Sequence, residues 1–284
     1  MTSPSHAPRA VAALLAEIID DAAMFPPASM DLPEAVDAHV AAQTGDYRWM
    51  LGRFLCPAAR VGELPPGVSL RLGVVFGEWP EHAVEADTVD AVEARLPDAD
   101  VATRAEELVR IANGARAWLE IPWAEFPSSE WPSAAKAIAA VDGCGLKVRC
   151  GGEHAGAFPP AALLGSIVAA CRDAGTPLKA TAGLHHPFRH PDAAIGVVMH
   201  GFVNVAVAVV LARHAALDEG DIAAVLSEDD PDAFTLGGDG VGWRDRVVGA
   251  DEVAETRASG AFAGFGSCSF REPVEDLVAL GVLS

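Results

Sequence analysis

Two lysines lie in short apolar segments, where a lysine is costly unless it does chemistry. The chain contains 17 arginines but only three lysines. Lys136 lies in SAAKAIAA, which is typical of an exposed helix face, whereas Lys147 in GLKVRCGG and Lys179 in PLKATAG each lie within a predicted strand. A lysine amine is a nucleophile only when neutral, and burial or neighbouring cations lower its pKa. The pair therefore predicts an amine that forms a Schiff base with a carbonyl substrate.

More charged residues share the strands around these lysines. In a barrel strand alternate side chains point inward, and the outward ones are apolar because helices cover them. This rule places six charged side chains from four consecutive strands in one interior: Glu93, Arg95, Glu120, Lys147, Arg149 and Lys179. Because barrel interiors are normally apolar, burying six charges for stability alone is costly. The cluster predicts a catalytic site, and the alternative is a salt-bridge network that only fills space.

Each member of this cluster has an expected role. Arg149 on the same strand and Lys179 on the next strand are expected to lower the pKa of Lys147, so that at least one amine is neutral. Glu93 or Glu120 would move protons to and from the carbinolamine and the enamine. Arg95 and Arg149 are expected to bind the substrate.

An alternation of short apolar segments and helical patterns must position these residues. The predicted strands are 22–26, 52–57, 69–77, 90–97, 115–123, 145–152, 177–183 and 261–270. Eight strands alternating with helices predict an α/β fold, a single (β/α)8 (TIM) barrel domain over residues 1–284. An open doubly wound sheet is the alternative. Such a sheet usually has a glycine-rich phosphate turn after its first strand, but the sequence at that position is MFPPAS, which has no glycine.

Three segments depart from a plain barrel. Residues 1–19 are predicted to form an extra N-terminal helix that caps the bottom of the barrel. Asp20 and Asp21 are predicted to be a cap or turn before strand one, and the alternative is that they reach the pocket. Residues 216–258 are predicted to be an acidic insertion before the last strand. The connection between strands three and four lacks a clear helical pattern.

Composition limits the partners. A net charge of −20 argues against nucleic acid or an anionic membrane. The apolar stretch 197–212 is interrupted by His200 and Asn204 and is predicted to be a buried helix, not a membrane span. Five cysteines without a CxxC pair and an N-terminus without a signal-peptide pattern predict a cytoplasmic protein with reduced thiols. The expected partner is a small carbonyl metabolite, and a homo-oligomer stays open.

Four short motifs resemble those of the deoxyribose-phosphate aldolase group of class I aldolases. KVRCGG, with Lys147, resembles the KTSTG-like segment that carries the Schiff-base lysine on strand six, and KATAGLHH, with Lys179, resembles the KASGG-like segment of strand seven. FLCPAAR, with Cys56, resembles the cysteine-bearing second strand. GFGSCS resembles the phosphate site that ends strand eight, with Gly266, Ser267, Cys268 and Ser269. The resemblance implies a (β/α)8 barrel, a lyase without a cofactor, and Lys147 as the nucleophile.

The chain also departs from the pattern of that group. Arg149 and Cys150 replace small hydroxyl residues, and His185 and His186 follow strand seven. The aspartate of strand four has its nearest equivalent in Glu93. The resemblance therefore supports the fold and the lysine pair better than it supports the substrate of that group.

The segment LHHPFRHP places His185, His186 and His190 on the face where barrel active sites lie. His185 and His186 are predicted to bind the substrate or to act as acid or base, with a solvated loop as one alternative. Another alternative is a divalent metal held by these three histidines with Glu93 or Glu120. Lysines pointing into such a site would oppose the cation, so no metal is expected.

The segment GFGSCS offers backbone N–H groups that suit an anion, with close packing at the barrel rim as the alternative. Cys268 is expected to be structural, since the sequence places no base beside it.

Three functional hypotheses follow. The first is a cofactor-independent lyase or isomerase that forms an imine with a small carbonyl metabolite, an anionic one included. The second is a metal-dependent barrel hydrolase or isomerase. The third is a barrel that binds an anionic metabolite without catalysis.

Overall fold

Eight parallel strands close into a barrel in the computed structural model, which describes residues 7–85 and 88–284. In chain order the barrel strands are β1 (Ile19–Asp21), β2 (Leu51–Pro57), β3 (Leu72–Val75), β4 (Val89–Arg95), β5 (Arg116–Glu120), β6 (Cys144–Arg149), β7 (Leu178–Thr181) and β13 (Phe262–Ser267). Each strand pairs with its neighbour in sequence, and β13 closes the barrel between β7 and β1. The predicted α/β (β/α)8 barrel is therefore confirmed.

Helices surround the barrel and add to it. They are α1 (Arg9–Leu15), α2 (Leu32–Ala42), α3 (Val101–Ala112), α4 (Trp131–Ala139), α5 (Ala161–Ala174), α6 (Phe202–His214), α7 (Glu219–Ser227), α8 (Ala250–Ala258) and α9 (Arg271–Ala279). Local signals set several ends: the Asp100 side chain accepts a hydrogen bond from the Thr103 N–H at the start of α3, and Gly175 takes a left-handed conformation after α5.

The alternation of side chains along the barrel strands follows the prediction. The outward residues lie between strands and helices, and each is at most 2 % exposed: Val92, Ala94, Leu119, Leu146, Val148, Leu178 and Ala180. A one-residue shift of register would turn these apolar side chains inward, so the hydrophobic core fixes which residues face the interior.

The first strand differs from the prediction. It is formed by residues 19–21, and the predicted strand 22–26 is a loop that begins where the Ala22 N–H donates to the Ser267 carbonyl. Asp20 and Asp21 therefore lie within β1, not in a cap before it. The apolar residues of the predicted strand instead face the cavity described below, through Ala22 and Phe25.

The insertion 216–258 contains α7, α8 and an antiparallel sheet of β10 (Phe234–Leu236), β11 (Gly240–Trp243) and β12 (Arg246–Gly249). Helix α1 packs against α8 and β11, and residues 1–6 of the predicted N-terminal helix lie outside the described residues. A second hairpin, β8 (His190–Asp192) with β9 (Val197–Met199), follows β7. Residues 76–85 and 88, between β3 and β4, contain no α-helix, as expected.

Among the residues that the structure describes, one segment, 155–174, is long and apolar enough to cross a membrane, with a mean hydropathy of 1.3. It includes α5, which packs against α4, α6 and α7 and buries seven of its residues. Helix α5 is therefore one of the helices that cover the barrel.

Gly264 allows β13 to pass close to the chain that leads into β1. Its φ is +128°, and a Cβ there would lie 2.3 Å from the Ile18 carbonyl oxygen. We expect Gly264→Ala to lower the free energy of unfolding by about 1–3 kcal/mol, because it adds backbone strain to this clash. Urea unfolding measures the loss, and Gly62→Ala, where a Cβ meets open space, is the control. Equal stability of the two variants would contradict this account of β13.

Candidate functional site

A cavity of about 710 Å³ opens at the carboxyl ends of the barrel strands. Residues from all eight barrel strands or the loops that follow them line it, and Glu93, Glu120 and Lys147 are among them. This is the end of the barrel where active sites of this fold are found.

Lys147 lies between two carboxylates. Its Nζ is 2.7 Å from Glu93 Oε2 and 2.9 Å from Glu120 Oε2. Strand register causes this, because Glu120 of β5 pairs directly with Lys147 of β6. Both glutamates thus contact this lysine in the barrel interior, the side of their strands that the alternation rule predicts.

Lys179 lies deeper, enclosed between Glu93 and Asp20. Its Nζ donates hydrogen bonds to Glu93 Oε1 and to Asp20 Oδ2, and the residue is 1 % exposed. The backbone N–H of Arg53 donates to the other Asp20 oxygen at 2.6 Å. Asp20 is therefore part of the site, although the sequence favoured a cap or turn at this position.

Asp21 points away from this cluster. Its Oδ2 lies 2.9 Å from His39 Nδ1, and its Oδ1 accepts from the Ala23 N–H. These bonds join β1 to α2 and to the loop after β1.

Cations and anions therefore alternate across the barrel interior. We call this set the charged chain: Arg53, Asp20, Lys179, Glu93, Lys147, Glu120 and Arg149. Each carboxylate of the charged chain has a cation on each side, and this pairing offsets the cost of burying the carboxylate.

The expectation that Arg149 and Lys179 lower the pKa of Lys147 is wrong. Burial lowers the pKa of Lys147, but Glu120 and Glu93 outweigh burial and raise it above its ordinary value. The sequence placed Glu93 and Glu120 in the interior, but their direct contact with the Lys147 amine depends on strand register, and it outweighs the effect expected from the cations Arg149 and Lys179. Lys147 is thus a protonated amine in direct contact with two proton acceptors.

The two glutamates are held in the ionised form. Burial would raise the pKa of Glu93, but Lys147 and Lys179 outweigh it and hold the pKa at about 2. Burial also acts to raise the pKa of Glu120, and there Lys147 and Arg149 lower it overall.

Two of the six predicted interior charges lie at the cavity mouth. Arg95 and Arg149 are the last residues of β4 and β6, and their side chains are 55 % and 48 % exposed. Both line the cavity, so they point to the predicted side of their strands, but they lie beyond the enclosed layer. Arg95 pairs with Glu125 at 2.8 Å, and Arg149 donates to Glu120 Oε1 at 3.3 Å.

The histidines after β7 reach the cavity wall at His185 and His186. His185 Nδ1 lies 3.3 Å from Glu272 Oε2, and His186 Nδ1 lies 2.5 Å from Asp276 Oδ2. His190 Nδ1 contacts the Phe188 carbonyl at 3.0 Å.

The set proposed for a metal is not assembled, because Glu93 and Glu120 contact Lys147 while His185 and His186 contact α9 carboxylates. Within residues 7–85 and 88–284, no group of three or more His, Cys, Asp or Glu side chains is arranged to hold a metal ion.

The segment GFGSCS ends β13 at the cavity. Gly266, Ser267 and Cys268 line it, and a Cβ on Gly266 would lie 3.0 Å from Thr181 Oγ1. The Ser267 hydroxyl donates to the Ser269 carbonyl, and the Ser269 hydroxyl accepts from the Glu272 N–H at the start of α9. The roles of Gly266, Ser267 and Ser269 in substrate binding stay predictions.

Two cysteines of the motifs differ in exposure. Cys268 Sγ is 3.9 Å from His185 Nδ1, a possible base that sequence spacing did not indicate. Burial is the main cause that raises the pKa of the Cys268 thiol. Cys56 is fully buried in β2, where burial raises its pKa to about 11. Both thiols are therefore protonated at neutral pH.

Comparison of the chain with models of protein families gives no match, and comparison with curated proteins gives none either.

Proposed function

We propose that this barrel is a cofactor-independent enzyme, a lyase of the aldolase type or an isomerase, that forms a Schiff base between Lys147 and a small carbonyl metabolite. One observation carries the proposal: the Lys147 amine lies at the wall of the cavity with a carboxylate on each side. An imine-forming site needs an accessible amine and a group that takes and returns its proton.

Access favours Lys147 over Lys179 as the nucleophile. In the described part of the chain, Lys147 is the lysine that lines the cavity, whereas Lys179 is enclosed by Asp20 and Glu93. Lys179 instead holds Glu93 in place and supplies positive charge next to the reacting amine. Lys179 is therefore a positioning residue in this mechanism.

Glu120 is the better proton acceptor of the two glutamates. Glu93 contacts two lysines and has a pKa of about 2, which makes it a poor base. Glu120 contacts one lysine, and its arginine partner lies at the exposed mouth. Glu93 would stay ionised and stabilise the positive charge of the iminium.

The protons balance as follows. The Lys147 ammonium gives one proton to Glu120, its nitrogen forms a bond to the carbonyl carbon, and the carbonyl oxygen takes that proton from Glu120. The ionised Glu120 then takes a second proton from the nitrogen of the carbinolamine and passes it to the hydroxyl group. The hydroxyl group leaves as water, and an iminium remains on Lys147. The iminium withdraws electrons from the neighbouring carbon, so that a C–C or C–H bond there can break.

The resemblance to the deoxyribose-phosphate aldolase group supports the same assignment. The two lysines lie on the sixth and seventh barrel strands and pair in register. Glu93 on the fourth strand and Asp20 on the first supply carboxylates to them. The net charge of −20 supports a small metabolite, not nucleic acid or an anionic membrane, as the partner, and we propose a cytoplasmic location.

Reduction with sodium borohydride tests the proposal. Incubation with pyruvate or acetaldehyde followed by borohydride should fix the imine as a stable secondary amine. Peptide mass spectrometry should place the added mass on Lys147, because Lys136 lies on an exposed helix face and Lys179 is enclosed. Equal labelling of Lys136 and Lys147 would indicate chance surface chemistry and would count against the mechanism.

A further inference from the structure

The charged chain ends at the cavity mouth in Arg149, whose hydrogen bond to Glu120 is long. Arg149 Nε donates to Glu120 Oε1 at 3.3 Å, whereas most N–H···O bonds measure about 2.9–3.0 Å. The guanidinium has five N–H donors, and this side chain is 48 % exposed at the cavity. By contrast, Arg95 makes a 2.8 Å bond to Glu125.

The positions of Arg149 and Lys147 limit the shape of a ligand that contacts both. Each contacts a different oxygen of one carboxylate: Arg149 meets Glu120 Oε1, and Lys147 meets Oε2. A ligand whose carbonyl carbon reaches Lys147 and whose anion reaches Arg149 must therefore be short. In a 2-oxo acid the carbonyl and the carboxylate are bonded to each other, and a carboxylate suits the planar fork of a guanidinium.

We infer that the substrate is a 2-oxo acid or a close analogue, and that its carboxylate binds Arg149 in place of Glu120. The inference rests on the proposed function, since it takes Lys147 as the amine that meets the carbonyl. It assigns Arg149 a double role: binding the substrate anion and releasing the base.

The exchange has a chemical consequence. With Arg149 on Glu120, the carboxylate has two cations next to it and is a weak base, because both lower its pKa. When the substrate carboxylate binds Arg149, Glu120 loses its contact with this arginine and keeps its contact with Lys147. Its affinity for a proton rises, and it accepts the proton of the Lys147 ammonium. The amine thus becomes nucleophilic when an anionic carbonyl compound is present.

Two probes of similar size separate charge from reactivity. Initial rates of borohydride trapping are measured with pyruvate and with acetaldehyde for the wild type, Arg149→Gln, Arg149→Lys and Arg271→Gln. Arg271 lies on α9 with its side chain 83 % exposed and pairs with Glu275, so Arg271→Gln is a matched control. Thermal melts confirm that each variant is folded.

We expect Arg149→Gln to slow pyruvate trapping about tenfold or more, the usual effect of losing a charge-assisted hydrogen bond. Acetaldehyde trapping should be faster, since Glu120 has lost its arginine in this variant and is a stronger base. Arg149→Lys should fall between the wild type and Arg149→Gln with pyruvate. Equal slowing of both probes, or no slowing of either, would overturn the inference and leave the imine mechanism intact.

Failure of the proposed function gives a different result. If no carbonyl compound labels Lys147 in the wild type, calorimetry with oxamate, a carboxylate analogue of pyruvate, tests the arginine alone. Binding that weakens about tenfold in Arg149→Gln and not in Arg271→Gln would support the carboxylate site by itself. Equal oxamate affinity of the wild type and Arg149→Gln would reject it.

Discussion

The Glu93→Gln variant should lose about 3 kcal/mol in its free energy of unfolding at neutral pH. Glu93 is fully buried and contacts both interior lysines, and glutamine keeps its shape while removing the charge. A pKa held at about 2, against an ordinary value of 4.5, corresponds to a few kcal/mol at about 1.4 kcal/mol per pKa unit. The removal of one partner from a buried ion pair has a cost of the same order.

Glu125→Gln is the matched control for this measurement. Glu125 also pairs with an arginine, Arg95, but its side chain is 72 % exposed, so the change should stay within about 0.5 kcal/mol. Urea unfolding of both variants gives the comparison. A loss in Glu93→Gln as small as that of the control would show that the charged chain does not stabilise the fold.

The difference between the wild type and Glu93→Gln should shrink in acid. The pKa of Glu93 is lowered in the folded state, so its stabilising effect is present above its unfolded value and is lost as pH falls from about 4.5 toward 2. The variant has no such group to protonate. Unfolding curves at several pH values in this window measure the change, and a constant difference across it would contradict the ion-pair explanation.

Periodicity was the part of the sequence that could predict the site. Along β6, apolar Leu146 and Val148 alternate with Lys147 and Arg149, and only one phase of this alternation keeps apolar side chains against the helices. The same logic placed Glu93, Glu120 and Lys179 inside before any contact was known. The alternation of inward and outward side chains can be predicted for each strand separately, because it depends only on the residues of that strand.

Asp20 could not be found in this way. Two adjacent aspartates are unusual in a strand, and β1 is only three residues long, so the apolar residues after it looked more like a strand. The partner that explains Asp20 is Lys179, which is 159 positions away. The available signal was the charge balance of the predicted interior, where four cations shared only two carboxylates: Arg95, Lys147, Arg149 and Lys179 with Glu93 and Glu120.

The protonation of Lys147 could not be predicted from the sequence, for a related reason. Neighbours on the same strand are visible in the sequence, whereas neighbours across strands depend on register. The pairing of β5 with β6 places Glu120 directly beside Lys147. The pairing of β4 with β5 likewise places Arg95 opposite Glu120 at the cavity mouth. The charge on Lys147 is therefore a property of the closed barrel, not of its own segment.

Arginine at each of the three lysine positions gives the strongest test of the mechanism. An arginine keeps the positive charge that Glu93, Glu120 and Asp20 need, but its guanidinium stays protonated and cannot attack a carbonyl. We expect Lys147→Arg to reduce borohydride trapping of pyruvate about a thousandfold or more, because it removes the nucleophile and leaves the charge balance of the barrel unchanged.

The other two variants identify which lysine reacts. Lys136→Arg changes an exposed position on α4 and should trap pyruvate as the wild type does. Lys179→Arg should still carry the added mass on Lys147, at a lower rate, because a larger cation in the enclosed site shifts Glu93 relative to the amine. Trapping is measured on folded samples, checked by thermal melting. Persistent labelling in Lys147→Arg together with its loss in Lys179→Arg would assign the nucleophile to Lys179, and Asp20 would then be the carboxylate that takes its proton.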